Sequence, residues 1–386
     1  MKKEKRGENA MTEIKVILLF IAKIVMNLIY SLLKLFPTHS NKITMLSRQS
    51  NYINFDFQLL LEELQLRNQK LEIKVLCKKI PKQFIGRIGY CFYLLKCMYH
   101  IATSSICVID GYSIPISVLK HKKRLKIIQI WHSMGAIKKF GYQTLDKKSG
   151  TKRKIATIMK MHQNYTAVLC TSHATKKLYA KGFGIDENKI LVLGMPRIDY
   201  ILGKEEKINQ KVAELYQEKP ELKEKKVILY VPTFRKKQEI PVENLTKLVD
   251  EQKYQLIIRL HPLDKTKVEQ KYFIDLKWNT MDLIKMADYV ITDYSAVAFE
   301  AALLQKKLFF YLYDATNYNQ ETGLNIHLKE EMPSSTFETA EEIISHIISD
   351  DYSMQEIVNF QKKYVETNDI ENTKRIVDYI LKLLEE

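Results

Sequence analysis

Short apolar runs alternate with longer amphipathic stretches along most of the chain, a pattern typical of βαβ units and parallel sheets. The runs predict strands at 42–46, 71–76, 106–110, 126–131, 167–172 and 190–194, and again at 226–232, 254–260, 287–292 and 307–313. Helical spacing lies between them, as in residues 55–65. The predicted fold class is therefore α/β, with two Rossmann-like domains in tandem.

A charge-rich segment without strand character separates the two series of strands. A second segment of helical spacing follows the last strand and continues to the end of the chain. The predicted divisions are an N-terminal segment 1–38, a first domain 39–203, a charged linker 204–225, a second domain 226–350 and a helical tail 351–386.

Residues 14–36 form the most apolar window, and Pro37 ends the predicted helix. At about 100° per residue, one narrow polar stripe is formed by Lys23, Asn27, Ser31 and Lys34. A membrane span would place Lys23 near the bilayer centre, at a cost of about 2.5–3.5 kcal/mol, and no small-residue cleavage site supports a signal peptide. We favour a helix in the membrane plane, with its lysines at the headgroups. Packing on the first domain and a membrane span are the alternatives left open.

The formal net charge of +16 over 386 residues indicates an anionic partner, which could be nucleic acid, a phosphorylated substrate or anionic lipid. Nucleic-acid binding is disfavoured, because the Tyr and Phe residues lie mainly in predicted strands and helices. The five cysteines, at 77, 91, 97, 107 and 170, form no CxxC pair, which argues against a zinc site or a disulfide framework.

Polar side chains follow several predicted strands, at the edge where parallel sheets bind ligands. The first domain places there His132, Ser133, Gly135 and Arg197. The second domain places there Thr233, Arg235, Arg259, His261, Thr292, Asp293 and Ser295. A single His or Arg at such a position is more often structural. The convergence of cations and hydroxyls, without an acidic metal cluster, favours a phosphate or pyrophosphate ligand.

The stretch TDYSAVAFEA, residues 292–301, predicts a strand end followed at once by a helix. A helix that begins near Ser295 would point its unpaired N–H groups at an anion, and the hydroxyls of Thr292 and Ser295 would add donors. Asp293 is predicted to cap the helix or to pair with Arg259 or Arg235, and Glu300 to accept hydrogen bonds from a ribose. A capped core helix is the alternative.

A resemblance to a known family extends over about residues 126–345. It is carried by five motifs, which occur in the order WHSMGAIKKFG, GMPRIDYIL, ILYVPTFR, RLHP and ITDYSAVAFEAALLQKKLFFYLYD. The chain resembles the CDP-glycerol glycerophosphotransferase family, the teichoic acid primases and polymerases of Gram-positive bacteria. It departs from the family pattern at Ser133, where the family has Gly, at Ala296, where it has Ser, and at Glu300, where it has Asp.

The resemblance implies a GT-B-like arrangement, with the two domains facing each other across a cleft. It implies transfer of glycerol phosphate or ribitol phosphate from a CDP-polyol, held by the second domain, to a hydroxyl of a lipid-linked, undecaprenyl-type acceptor, with release of CMP. It also implies peripheral attachment to the cytoplasmic face of the membrane. The expected partners are the CDP-polyol, that acceptor and an anionic membrane surface, and no nucleic acid.

On this basis His132 is predicted as the general base, because a neutral imidazole suits proton abstraction near neutral pH. His261 is predicted to bind or protonate the leaving phosphate. The predicted pyrophosphate ligands are Arg235, Thr233, Arg259, Thr292 and Ser295. Further predicted substrate contacts are Ser133, Gly135, Arg197, Asp293, Ala296 and Glu300.

No cofactor or bound metal is predicted to be required; Mg²⁺ would be compatible, but no acidic pair indicates it. The alternative function is a GT-B glycosyltransferase of cell-surface polysaccharide synthesis, which would release a nucleoside diphosphate from a nucleotide sugar. The sequence leaves open the choice between glycerol and ribitol, the number of units transferred and the oligomeric state.

Overall fold

Two fully parallel sheets organise the chain in the computed structural model, which describes residues 2–203, 205–235, 238–273 and 277–386. The first sheet has the order β2-β1-β3-β4-β5-β6 and the second β11-β10-β9-β7-β8. The strands are β1 His39–Ser47, β2 Glu72–Cys77, β3 Ser104–Ile109, β4 Lys126–Gln129, β5 Ala167–Cys170, β6 Ile190–Val192, β7 Lys226–Val231, β8 Tyr254–Ile258, β9 Tyr289–Thr292, β10 Lys307–Tyr311 and β11 Thr336–Phe337.

Helices cover both sheets. They are α1 Lys2–Leu33, α2 Phe55–Arg67, α3 Phe84–Thr103, α4 Ile114–Val118, α5 Arg153–Ile158, α6 His173–Phe183, α7 Pro196–Gly203, α8 Glu205–Glu218, α9 Glu221–Glu224, α10 Glu243–Thr246, α11 Thr280–Met286, α12 Val297–Leu303, α13 Ala315–Glu321, α14 Leu328–Glu331, α15 Ala340–Ser349, α16 Met354–Tyr364 and α17 Asn372–Glu385. The α/β class with two parallel sheets, predicted from the sequence, is confirmed.

Side chains of the first sheet alternate between two cores, which explains the near-continuous apolar strands. In β3, Ile106 and Val108 face the core formed with α2 and α17, whereas Cys107 and Ile109 face the core beneath α3. All ten predicted strands are present. Several end one or two residues earlier than predicted, and the two-residue β11 was missed.

The N-terminal helix α1 lies on the first domain, and Lys23 and Asn27 of its polar stripe face inward, whereas Ser31 is exposed. Lys23 Nζ donates to the Ile158 carbonyl at 3.0 Å, and Asn27 Nδ2 donates to the Val118 carbonyl at 3.2 Å. The prediction that Lys23 lies at the lipid headgroups is therefore wrong, because the carbonyls at the ends of α4 and α5 bind these side chains. The opposite face is apolar and exposed, with Leu28 65% accessible. Within the described residues, Glu13–Leu33 is long and apolar enough to cross a membrane.

The predicted linker and tail are both packed into the cores. Leu215 of α8 and Leu222 of α9 are buried in the core that covers one face of the second sheet. Helix α17 returns to the first sheet and buries Ile376 and Ile380 against β1 and β3. The tail therefore ties the two domains together. Lys204, where the linker was predicted to begin, lies outside the described residues.

Candidate active site

A cleft of about 1780 Å³ lies between the two domains, at the carboxyl ends of strands from both sheets. In the second sheet the chain order reverses between β7 and β9, and such a reversal is where open α/β sheets bind ligands. Of the residues predicted from the sequence, the cleft is lined by His132, Ser133, Gly135, Thr233, Arg235, Arg259, His261, Ser295 and Ala296.

His132 is held in one tautomer at the floor of the cleft. Its Nδ1 lies 2.9 Å from the carbonyl oxygen of Asp110, which can only accept, so Nδ1 carries the proton and Nε2 has the lone pair. Desolvation by the surrounding protein lowers the pKa of His132, with a further contribution from Arg197, and the Asp110 carbonyl opposes the shift. The ring is therefore a neutral base that is accessible from the cleft.

The loop after His132 is fixed by contacts that leave no room for larger side chains. Ser133 Oγ donates to the Gly135 carbonyl at 2.5 Å, so this hydroxyl proton already has an acceptor. A Cβ atom at Gly135 would lie 2.3 Å from Cζ of Phe299, a residue of α12 in the second domain. The absence of a side chain at Gly135 therefore lets the two domains approach each other closely. Only the backbone of Gly135 can make the predicted contact with substrate.

Arg235 is engaged by carboxylates rather than open to a ligand. Its Nε and Nη2 donate to both oxygens of Asp314 at 2.8 and 3.1 Å, and Nη2 also donates to Asp293 at 2.9 Å. Nη1 donates to the Thr233 carbonyl, and the side chain is only 7% accessible. The prediction that Arg235 holds the pyrophosphate is corrected: two buried carboxylates take its donors. The pairing of Asp293 with Arg235 agrees with one of the two predicted partners.

Thr292 and Asp293 lie behind the cleft wall. Thr292 Oγ1 donates to the Val231 carbonyl at 2.6 Å and is fully buried, so the prediction that it donates to a ligand is wrong. Asp293 accepts from the Thr233 amide at 2.8 Å, which joins the ends of β7 and β9. Thr233 lines the cleft, and its Oγ1 is a buried atom without a hydrogen-bond partner among the described residues. An unsatisfied polar atom at the wall of the cleft is a candidate donor to a ligand.

Helix α12 begins at Val297, two residues after the predicted start. Ser295 and Ala296 precede it and line the cleft, and Ser295 Oγ accepts from the Val297 amide at 3.4 Å. This weak contact leaves the hydroxyl proton of Ser295 available for an acceptor in the cleft. The side chain of Ala296 offers only a methyl group there.

Arg197 and Glu300 form a buried ionic link between the domains. Arg197 pairs with Asp56 at 2.5 Å and reaches Glu300 of α12 at 3.3 Å. Burial raises the pKa of Glu300, and Arg197 opposes that rise. Neither residue lines the cleft. Their predicted contacts with substrate, including the ribose contact of Glu300, are therefore corrected to a structural role, because both side chains lie behind the cleft wall and Arg197 pairs with Asp56 and with one oxygen of Glu300.

Arg259 and His261 follow β8 and line the second-domain side of the cleft. Arg259 Nη2 donates to the Trp278 carbonyl at 2.6 Å. His261 Nδ1 lies 3.1 Å from the Leu263 amide and must accept from it, so the proton of the neutral ring is on Nε2. Burial lowers the pKa of His261, and Lys138 adds to that shift. His261 thus offers a donor, whereas His132 offers an acceptor.

Lys138 is a cleft cation that sequence reasoning missed. It lines the cleft, and desolvation lowers its pKa, although Asp293 opposes that shift. In the described ranges no carboxylate is in ion-pair contact with it. A half-buried, unpaired ammonium is suited to an anionic ligand. The sequence could have indicated this role through the position of Lys138 in the WHSMGAIKKFG motif, six residues after His132.

The segment that carries Lys138 is hydrogen-bonded to the second domain. The Lys139 amide donates to the Gly323 carbonyl at 2.9 Å, and the Asn325 amide donates to the Ile137 carbonyl at 2.7 Å. Gln143 Nε2 adds a bond to Asn325 Oδ1 at 2.6 Å. These contacts fix the His132 loop relative to the second sheet.

Metal-ligating groups are not clustered in the described part of the chain: it has no group of three or more His, Cys, Asp or Glu residues with suitable geometry. The expectation that no metal is required stays a prediction.

Comparison with known proteins identifies the family. Residues 28–382 match the family described as CDP-Glycerol:Poly(glycerophosphate) glycerophosphotransferase. The protein belongs to this glycerophosphotransferase family. It is therefore a polyolphosphotransferase of teichoic acid synthesis, as the five motifs predicted, and the alternative of a nucleotide-sugar glycosyltransferase is set aside.

Relatives of this protein include the teichoic acid ribitol-phosphate primase of Bacillus spizizenii, which is 31% identical over 96% of this chain and 98% of the relative. The poly(ribitol-phosphate) polymerase of the same organism is 32% identical, but the match spans 91% of this chain and 58% of the polymerase. The glycerol-phosphate primase of Bacillus subtilis is 30% identical over 76% of this chain and 77% of the relative.

Solved structures confirm the fold of this chain. The wall teichoic acid polymerase TagF superposes with a TM-score of 0.72 at 19% identity, covering 97% of this chain and 98% of TagF, and a TagF variant soaked with CDPG gives the same values. A UDP-GlcNAc 2-epimerase from Neisseria meningitidis has a TM-score of 0.56 at 14% identity, over 88% and 99% of the two chains. The fold therefore serves other chemistries, and the site decides function.

Proposed function

We propose that this protein transfers ribitol phosphate from CDP-ribitol to a hydroxyl of a lipid-linked teichoic acid acceptor, with release of CMP, and that it adds one or a few units. The similarity to a ribitol-phosphate primase over nearly the full length of both chains favours this donor and this product length. The observation that carries the chemistry is the cleft in which a base from one domain faces phosphate-binding groups from the other.

In the proposed reaction the acceptor hydroxyl transfers its proton to Nε2 of His132, and its oxygen attacks the β-phosphorus of the CDP-polyol. The bond from that phosphorus to the bridging oxygen breaks, and CMP leaves with the electron pair. The Nε2–H of His261 donates to the diphosphate, and Lys138 balances its charge. The hydroxyls of Thr233 and Ser295 supply further donors.

We further propose that no bound metal is needed, since cations and hydroxyls of the chain neutralise the developing charge. Dialysis against EDTA should leave the rate of CMP release within about twofold of the untreated enzyme. A complete loss that Mg²⁺ restores would overturn this part of the proposal.

The proposed location is the cytoplasmic face of the membrane, with α1 in the interface and its apolar face toward the lipid. Support comes from a second exposed apolar row on α3, which packs beside α1. Phe84, Ile85, Ile88 and Phe92 of this row are 50–83% accessible. The net charge of +16 adds attraction to anionic lipid.

Sedimentation of the full chain with vesicles tests this location. The protein should pellet with phosphatidylglycerol-containing vesicles, and Leu28→Glu combined with Phe92→Glu should abolish pelleting. Ile348→Glu, at an exposed apolar site of α15, is the matched control. Wild-type protein that stays in the supernatant, or a double variant that pellets as wild type does, would contradict the proposal.

The donor is tested by incubating the purified protein with a lipid-linked acceptor and either CDP-ribitol or CDP-glycerol. CMP release and product length are measured for each. Faster CMP release with CDP-ribitol and products extended by one or a few units are expected. A preference for CDP-glycerol would correct the donor, and long products would correct the product length.

A further inference from the structure

The active cleft is lined not only by the two domains but also by Lys15 and Leu19 of the N-terminal helix, and we call the part between His132 and this helix the arm. We infer that this arm, between His132 and α1, binds the acceptor as an anionic chain attached to a membrane lipid. The inference rests on the proposed function and adds to it the place where the acceptor binds.

An aromatic wall runs from His132 along the arm. The ring of Trp131 lies 4.2 Å from that of His132 and 6.2 Å from that of His162, measured between centroids. The ring of Tyr112 lies 5.6 Å from His162, and its hydroxyl donates to the Met159 carbonyl at 3.2 Å. The cavity is lined by all five of these residues, Trp131, His132, His162, Tyr112 and Met159, so the wall is continuous from the base to the end of α5.

The far end of the arm is formed by α1. Leu19 and Lys15 of this helix line the cavity together with Ile155 of α5. The Lys23 contact with the Ile158 carbonyl fixes α1 beside α5 at this point. The helix proposed to lie in the membrane therefore also borders the cleft that holds the base. A lipid-anchored chain could reach His132 along this path without leaving the interface.

Cations occur within this otherwise apolar arm. The Arg48 guanidinium lies over the ring of Tyr112 at 5.1 Å, and Lys15 lies at the mouth. Neither has a carboxylate in ion-pair contact within the part of the chain that the structure describes. An unpaired cation on an aromatic wall is suited to a phosphate group. The combination fits an amphiphile with a phosphate-bearing chain better than a neutral lipid.

The arm is separate from the donor side of the cleft. Of the groups suited to the diphosphate, Thr233, Ser295 and His261 belong to the second domain and only Lys138 to the first, whereas the arm is built by Tyr112, Trp131 and His162 of the first domain together with α1. His132 lies between the two regions. A base at that junction can take a proton from an acceptor in the arm and direct the oxygen toward a donor on the other side.

Two variants of the full chain test the arm, both assayed in detergent micelles so that membrane binding does not limit the rate. Arg48→Ala removes the cation, and Ile155→Glu places a negative charge on the apolar wall. Each should raise the KM for a lipid-linked acceptor tenfold or more and leave the Kd for CDP-ribitol, measured by calorimetry, within twofold of wild type. Arg48→Lys should restore part of the affinity, and Ile348→Glu should match wild type.

The outcomes separate the two proposals. If wild type releases CMP and both variants keep its acceptor KM, the arm is not the acceptor site, although the proposed function stands. If the donor Kd rises as much as the acceptor KM, the arm serves the donor and the inference is overturned. If wild type releases no CMP with either CDP-polyol, the proposed function fails and the inference fails with it. Thermal unfolding shows whether Ile155→Glu folds; if it does not, Arg48→Ala decides.

Discussion

Gly135 in the first domain lies against the ring of Phe299 in the second, and a Cβ atom at position 135 would come within 2.3 Å of Cζ. Phe299 cannot easily move away, because it is fully buried and stacks on Phe360 with centroids 5.6 Å apart. The His132 loop therefore meets the second domain through a contact that admits only hydrogen at position 135.

Gly135→Ala should reduce the free energy of unfolding by about 1–3 kcal/mol, the usual cost of overpacking, and should reduce kcat because the His132 loop shifts. Urea denaturation and CMP release measure the two effects. Phe299→Leu in the same chain should restore part of both. Gly89→Ala is the matched control, since nothing lies within 4 Å of a Cβ atom there. Equal behaviour of the two Ala variants would disprove the steric account.

Arg235 is predicted to act on stability more than on donor binding. Arg235→Leu leaves the carboxylates of Asp293 and Asp314 buried without a cationic partner, which should cost about 3–5 kcal/mol of unfolding free energy. Urea denaturation measures this cost. A variant with wild-type stability and only a raised donor KM would return Arg235 to the ligand-binding role first predicted for it.

Lys138 is predicted to act on donor binding more than on stability, in contrast to Arg235. Lys138→Ala removes an unpaired cation from the cleft, so the donor KM should rise about 10- to 100-fold, as expected for the loss of a hydrogen bond to a charged group. The unfolding free energy should change little. Lys147→Ala, on the same segment but bonded to the Thr322 carbonyl, is the control. An unchanged donor KM in Lys138→Ala would show that the diphosphate binds elsewhere.

Asp110 should make stability depend on pH. Burial raises its pKa to about 6, and hydrogen bonds from Ser47 and Asn54 only partly oppose the shift. The folded state holds the proton of Asp110 more tightly than the unfolded state does. The protonated carboxyl therefore contributes its full stabilisation below about pH 4, and this stabilisation is lost as pH rises to about 6. The loss amounts to about 3 kcal/mol at most.

Asp110→Asn cannot titrate, so its unfolding free energy should lack this decline, while its backbone carbonyl still accepts from His132. Denaturation at a series of pH values compares the two proteins. Parallel pH profiles would show that Asp110 is ionised throughout.

Residue types and strand ends were sufficient to predict both sheets, the cleft and its two histidines. They were insufficient for the arginines, because a sequence does not show which carboxylate meets which cation. Arg235 pairs with Asp314, 79 residues away, and Arg197 with Asp56, 141 residues away. Lys138 was missed because a Lys-Lys pair resembles a solvated surface. The partners of Lys23 and Asn27 in α1 were misassigned because amphipathicity does not say whether a polar stripe meets lipid headgroups or protein carbonyls.

The central claim is that His132 acts as a neutral base on an acceptor hydroxyl. The most direct measurement is kcat/KM for CMP release, from about pH 5 to pH 8, in wild type and His132→Gln. Because the pKa of His132 is lowered from 6.5, wild-type activity should fall only below that value. His132→Gln should lose about 10²–10⁴-fold in rate and lack this acid limb. Near-normal turnover in His132→Gln, or the same acid limb in both proteins, would contradict the account.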